Sequence, residues 1–160
     1  MSYMKLIKLL YLLDREALLR WGRPVTTDRY VSMDRGPVVS RILDLITDEP
    51  LPNEESIWRR FISLTESFEV ELSGDAGSDE LSRAEEDLIR EIFGKFGHMS
   101  RWAIVDYSHT LSEWVDPEGS MFPIEYRDIL KAGGKTESEI AEIERELEHL
   151  ALSESVLQFR

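Results

Sequence analysis

The sequence of 160 residues contains no cysteine and no long apolar run. The first absence excludes disulfides, thiolate zinc sites and thiol nucleophiles. The longest apolar run, residues 9–13, is far shorter than the ~18 residues that a membrane-spanning helix needs. The N-terminal segment has early acidic side chains and no small-residue cleavage site, so it does not resemble a secretory signal peptide. We therefore expect a cytoplasmic protein without a membrane span.

The sequence also lacks the motifs of common catalytic sites: a glycine-rich phosphate loop, an HExxH zinc helix, an EF-hand loop and a nucleophile elbow. The best remaining candidate is the trio Asp106, His109 and Glu113, which one helix face could present to a metal ion or a proton. Three ligands from one helix rarely converge on an ion, and this helix can break near Thr110. We expect no enzymatic activity, no metal site and no cofactor, and we keep the trio as an alternative.

Enough apolar sequence is present for one folded core. Hydrophobic residues make up 42% of the chain and charged residues 32%, which is typical of globular proteins. A chain of ~150 residues buries roughly 70% of its unfolded surface, so one domain over residues 1–160 is expected. The predicted fold class is α+β and mainly α: a compact domain of about six helices with a small antiparallel β-hairpin or three-stranded sheet.

The charge is strongly negative but unevenly distributed. The chain has 19 basic and 32 acidic residues, a net charge of −13. Residues 1–46 nevertheless carry +3, which leaves −16 on the remainder. The overall charge repels nucleic acids and anionic lipids at long range. The asymmetry favours either a contact between the two halves or two faces of opposite charge that meet partners.

The arginines of the first half form the basic concentration of the sequence, and guanidinium groups bind carboxylates and phosphates alike. Nucleic-acid binding is an alternative, although the chain has no Lys/Arg-rich recognition helix. Pairing inside the fold is the simplest interpretation, and contact with a protein partner is the functional one. An acidic C-terminal helix, at about residues 136–152, could cover a basic partner surface. The candidate partner-binding residues are Arg15, Arg20, Arg29, Arg35, Glu142 and Glu146.

Hydrophobic spacing predicts helices separated by glycine and proline. Residues 4–20 carry apolar side chains at helical spacing, and Gly22 followed by Pro24 should end this helix. Gly36-Pro37 predicts the start of a second helix, and residues 47–56 read as a polar surface loop. Further helices are expected to begin at Ser82, Ser100, Pro123 and Thr136.

Between the second and third helices the hydrophobic period changes to two, which predicts a β-hairpin. Apolar and acidic residues alternate over residues 68–72, and residues 57–64 are rich in aromatic and β-branched side chains. Arg59 and Arg60 are expected to face glutamates across the two strands. Because two strands alone are marginally stable, the hairpin should pack on helices or gain a third strand from residues 29–33.

The order of several short motifs resembles a known family. These motifs are Lys8-Leu9-Leu10-Tyr11, Gly22-Arg23-Pro24, Tyr30, Gly36-Pro37-Val38, and Ser108-His109 followed by Trp114. Together they resemble the Panacea antitoxin domain, the SocA-like family of phage-associated proteins, from about residue 4 to residue 134. None of the motifs is specific by itself, and their order and spacing carry the resemblance.

The resemblance implies a non-enzymatic antitoxin that neutralises a cognate protein toxin by direct contact, with the toxin usually encoded by an adjacent gene. At least one relative acts as a proteolytic adaptor, so a protease is an alternative partner. The resemblance does not identify the toxin. The motif positions are expected to be structural rather than to contact the partner: Lys8, Leu9, Leu10, Tyr11, Tyr30, Gly36, Pro37, His109 and Trp114.

Overall fold

The computed structural model describes residues 1–47 and 57–157, and most of them are helical. These residues form six helices of seven or more residues, one five-residue helix and five short strands. The helices are α1 (Tyr3–Trp21), α2 (Ser40–Thr47), α3 (Ile57–Phe61), α4 (Arg83–Phe96), α5 (Arg101–Ser108), α6 (Tyr126–Ala132) and α7 (Glu137–Leu157). The strands are β1 (Tyr30–Met33), β2 (Gly36–Val39), β3 (Ile62–Leu64), β4 (Val70–Leu72) and β5 (Phe122–Ile124). The α+β, mainly α class predicted from the sequence is confirmed.

Helix α1 lies at the centre of the fold, as its nearly continuous apolar surface predicts. It packs against α2, α4, α5, α6 and strand β2. Tyr11 and Leu18 of α1 are fully buried, beside Ile104 of α5 and Ile129 of α6. The helix ends at Gly22, whose φ of 71° is the left-handed cap expected there, and whose N–H donates to the Leu18 carbonyl.

A three-stranded antiparallel sheet, in the order β2-β1-β5, packs beside α1. The prediction that Gly36-Pro37 opens a helix is wrong, because these residues belong to β2, where Pro37 lies opposite Ser32 of β1. Pro123, likewise predicted to open a helix, lies in β5. Both are edge strands, which tolerate a proline because one side of the strand needs no N–H donor.

The two helices begin a few residues after these prolines, where their first N–H groups find carboxylate acceptors. At α2 the buried Asp28 carboxylate accepts from the N–H groups of Arg41 and Ile42, at 2.8 and 2.9 Å. At α6 Glu125 and Asp128 form a capping box. Carboxylate acceptors, buried at α2 and exposed at α6, therefore mark where these helices start.

A second sheet pairs β3 with β4 in antiparallel register, which confirms a hairpin over a shorter span than predicted. Residues 57–61 form α3 instead of extending the first strand, so the expected pairing of Arg59 and Arg60 with Glu69 and Glu71 is wrong; Glu71 lies opposite Ser63. Residues 29–33 do not join this sheet, since β1 belongs to the first one. The N-terminus adds the extra pairing, with mutual backbone hydrogen bonds between Met1 and Val70.

The remaining helices begin at the predicted caps. Ser82 forms a capping box with Glu85, and Ser100 caps α5 by accepting from the Ala103 N–H. Thr136 and Glu139 cap α7, which runs to Leu157 and so extends past the predicted end. The predicted loop at residues 47–56 lies outside the described residues, apart from Thr47. In the described part of the chain, no helix is both long and apolar enough to cross a membrane.

Candidate functional site

Arg15, the first predicted partner-binding arginine, is engaged inside the fold. Its Nε donates to Oε1 of Glu113 at 2.6 Å, and the Glu113 side chain is completely buried. The Tyr11 hydroxyl donates to the same oxygen at 3.0 Å. Burial by itself lowers the pKa of Arg15, but the hydrogen bond and negative charge of Glu113 outweigh it and raise that pKa. This contact joins α1 to the segment after α5.

Arg20 is also paired, but at the surface. Its Nε lies 2.6 Å from Glu16 on the same helix, and its two terminal nitrogens bind Glu91 of α4 at 2.6 and 2.8 Å. The paired carboxylates raise the pKa of Arg20, since they favour its charged form. Arg15 and Arg20 thus follow the simplest interpretation, pairing within the fold.

The other predicted residues are solvent-exposed. Arg29 precedes β1, and Arg35 lies in the turn between β1 and β2. Glu142 and Glu146 project from α7, whose inner face is anchored by the fully buried Ile140. Among the described residues no carboxylate forms an ion pair with Arg29 or Arg35.

Arg35 contributes to a surface that was not predicted from the sequence. The centre of its guanidinium lies 5.6 Å from the ring centroid of Trp102, and that of Arg101 lies 5.3 Å from the same ring. Trp102 is 51% exposed. Its position after the Ser100 cap places it in the first turn of α5, away from the buried face of that helix. An exposed tryptophan flanked by arginines has the composition of a protein-binding hot spot.

This surface borders two adjacent cavities that together we call the α1 groove. The larger cavity holds about 600 Å³ and the smaller about 230 Å³. They share Tyr3, Met4 and Arg35. The larger is further lined by Ile7, Lys8, Met33, Asp34, Val38, Leu43 and residues 119–121; the smaller by Ser2, Phe68, Arg101 and Trp102.

Lys8 lies in the wall of the larger cavity and is almost completely buried. Its Nζ donates to the Pro37 carbonyl at 2.7 Å. Burial lowers the pKa of Lys8 to about 7, because an ammonium is poorly solvated there. The groove therefore contains a cationic donor whose charge is sensitive to its surroundings near neutral pH.

Gly36 explains how Lys8 approaches the backbone so closely. Its φ of 90° is a conformation that other residues rarely adopt, and a Cβ there would collide with Ser108 Oγ. The same Cβ would lie 3.0 Å from Lys8 Nζ and 3.3 Å from Cδ2 of His109. These side chains therefore close around a position that has no side chain of its own. This agrees with a structural role for the Gly36-Pro37 motif.

The alternative trio Asp106, His109 and Glu113 does not share one helix face, because α5 ends at Ser108. Asp106 is exposed, and Glu113 is buried against Tyr11. The His109 ring stacks on Trp114, with centroids 4.2 Å apart, and its buried Nε2 has no hydrogen-bond partner among the described residues. The described part of the chain contains no group of three or more His, Asp or Glu residues that could hold a metal ion.

The exposed position of Trp102 beside Arg101 was not predicted from the sequence, because tryptophan is so often a core residue. One signal was present: Trp102 and Asp106 are four residues apart, so on a helix they share a face, and a charged residue marks that face as exposed. The buried residues Ile104, Val105 and Ser108 lie on the other side of α5.

The chain matches the model of a known protein family. The model of a family described as "Antitoxin SocA-like, Panacea domain" matches residues 6–115. The matched range contains α1 from Leu6 onward, the β1–β2 hairpin, Arg101 and Trp102. No curated protein and no solved structure matches the chain.

Proposed function

The chain belongs to the SocA-like antitoxin family with a Panacea domain, and on that premise we propose that it neutralises a cognate protein toxin by binding it directly. The family match over residues 6–115 carries the antitoxin role. The Arg35–Trp102–Arg101 surface supports direct contact, because exposed tryptophan and arginine contribute disproportionately to binding energy. In this proposal the chain acts as a cytoplasmic binding protein, without a catalytic step.

The proposed partner is the product of an adjacent gene. The test is expression of each adjacent open reading frame in a bacterial host, with and without this protein, while growth and co-purification are scored together. The expected result is a growth arrest that this protein relieves, accompanied by a stable complex of the two chains. Adjacent products that are harmless, or that stay toxic when this protein is present, would refute the proposal.

The same experiment separates occlusion from delivery to a protease. If binding alone neutralises the toxin, the toxin accumulates in the complex and its activity is inhibited in vitro by the purified antitoxin. If the protein is a proteolytic adaptor, the toxin level falls in the cell and recovers in a protease-deficient host. We propose occlusion, since a surface exposed on the folded protein can cover a toxin without any third component.

A further inference from the structure

The charge of the α1 groove is opposite to that of the chain. Two exposed arginines, Arg35 and Arg101, line it together with the buried Lys8, whose pKa is lowered to about 7, against one carboxylate, Asp34. The chain as a whole has 19 basic and 32 acidic residues. Asp34 is itself engaged, because its Oδ1 accepts the Gly119 N–H at 2.9 Å. The groove is therefore a local basic site on an acidic protein.

The two exposed arginines of the groove are available to a ligand. Within the described residues, no carboxylate lies at ion-pair distance from Arg35 or Arg101. Both guanidinium groups lie near the Trp102 ring instead. A guanidinium next to a ring keeps N–H donors that can bind a carboxylate in two-point fashion. The groove thus presents two such donors beside one aromatic side chain.

Apolar side chains supply the rest of the groove. Met4, Ile7 and Val38 form buried wall, while Phe68 and Met121 are each 61% exposed. A volume of about 600 Å³ lies within the range of sites that hold a compact ligand. A nucleic acid would also satisfy the arginines, but the net charge of −13 would repel it at long range.

We propose that the α1 groove binds a segment of the toxin that carries both carboxylates and apolar side chains. The carboxylates pair with Arg35 and Arg101, and the apolar side chains enter the larger cavity beside Lys8. Charge complementarity commits the groove to an acidic occupant, because the unpaired cations of its rim attract one and disfavour a basic segment. This inference rests on the proposed function and specifies the chemistry of its contact.

The test uses the toxin identified by the growth assay and short overlapping peptides that cover its sequence. Affinities for wild type are compared with those for Arg35→Glu/Arg101→Glu and for the charge-matched control Arg83→Glu/Arg145→Glu, whose positions are exposed outside the groove. The groove variant should bind toxin about 30-fold more weakly or worse, as loss of a hot spot implies, while the control binds like wild type. The peptide that binds wild type should contain acidic and apolar residues, and changing its acids to lysine should restore binding to the groove variant.

Arg35→Gln/Arg101→Gln serves as a second variant, because it removes the charges without adding new ones, and thermal unfolding of each variant verifies folding. A folded groove variant that binds like wild type, or a basic toxin peptide as the bound segment, would overturn the proposal. Loss of binding in the control variant alone would also overturn it and place the contact outside the groove. Failure of wild type to neutralise any adjacent product would instead remove the proposed function, and the groove assignment with it.

Discussion

Replacing Gly36 with alanine should destabilise the fold in two ways, through backbone strain and through overpacking. The φ of 90° costs an alanine about 1–2 kcal/mol, because its Cβ crowds the neighbouring carbonyl. In addition, the new Cβ meets Ser108 Oγ, which is buried and donates to the Val105 carbonyl at 2.7 Å. Overpacking of a buried site costs about 1–3 kcal/mol more. The expected loss in the free energy of unfolding is therefore about 2–5 kcal/mol.

Gly134→Ala separates the two contributions. Gly134 has a φ of 84°, but no described atom outside its immediate neighbourhood lies within 4 Å of its added Cβ. It should lose only the backbone part, about 1–2 kcal/mol. Urea denaturation gives the free energy of unfolding for wild type and both variants. A thermal scan should show the Gly36→Ala midpoint roughly 10 °C below that of wild type.

The clash with Ser108 makes a third variant informative. In the Ser108→Ala background the colliding hydroxyl is absent, so Gly36→Ala should cost about 1 kcal/mol less than it costs in wild type. Equal losses for Gly36→Ala and Gly134→Ala would refute the reasoning, because they would show that no side chain closes on Gly36. The same conclusion would follow if the two substitutions at positions 36 and 108 were strictly additive.

Two further predictions concern buried ionisable groups. The pKa of Lys8 is about 7 in the folded protein, whereas its ordinary value is 10.5. Between these two pH values Lys8 is protonated in the unfolded chain but largely neutral in the folded one. The free energy of unfolding of wild type should therefore rise with pH relative to that of Lys8→Met. Denaturation at several pH values checks this, and a constant difference between the two proteins would contradict it. Glu113→Ala should cost about 3 kcal/mol, because Tyr11 and Arg15 lose their buried acceptor. Glu91→Ala removes an exposed pair and should change stability little; equal losses in the two urea titrations would count against this reasoning.

The helices and their caps could be predicted wherever a capping residue acts on backbone groups close to it in the sequence. Ser82 with Glu85, Ser100, and Gly22 each act on backbone groups within three or four residues, and all three form the expected caps. Pro37 and Pro123 were wrongly predicted to open helices, because proline is favoured at a helix start and is also tolerated in an edge strand. Only the pairing of distant strands decides between these two environments, and that pairing is not visible in a local pattern.

The proposed contact surface was harder to predict, because it depends on contacts between residues that are distant in the sequence. Arg15 and Arg35 look alike in the sequence. Arg15 binds the carboxylate of Glu113, 98 positions away, whereas Arg35 lies beside the exposed Trp102, 67 positions away. Charge patterning identified the basic half of the chain but not which arginines were already paired. Which of them remain available depends on tertiary contacts alone.

The motif residues and the proposed contact residues are neighbours, but they differ in burial and in the role that we assign to them. Lys8, Tyr11 and Gly36 are buried, and their hydrogen bonds or close contacts hold α1 against the β1–β2 hairpin. Arg35, directly before Gly36, is exposed, and so is Trp102. Substitutions at the buried positions act through stability, whereas substitutions at the exposed ones can change affinity while the core stays intact. If the groove binds the toxin as proposed, substitutions at Arg35, Arg101 and Trp102 change which toxin is bound, while Lys8 and Val38, the motif residues that line the groove, stay unchanged.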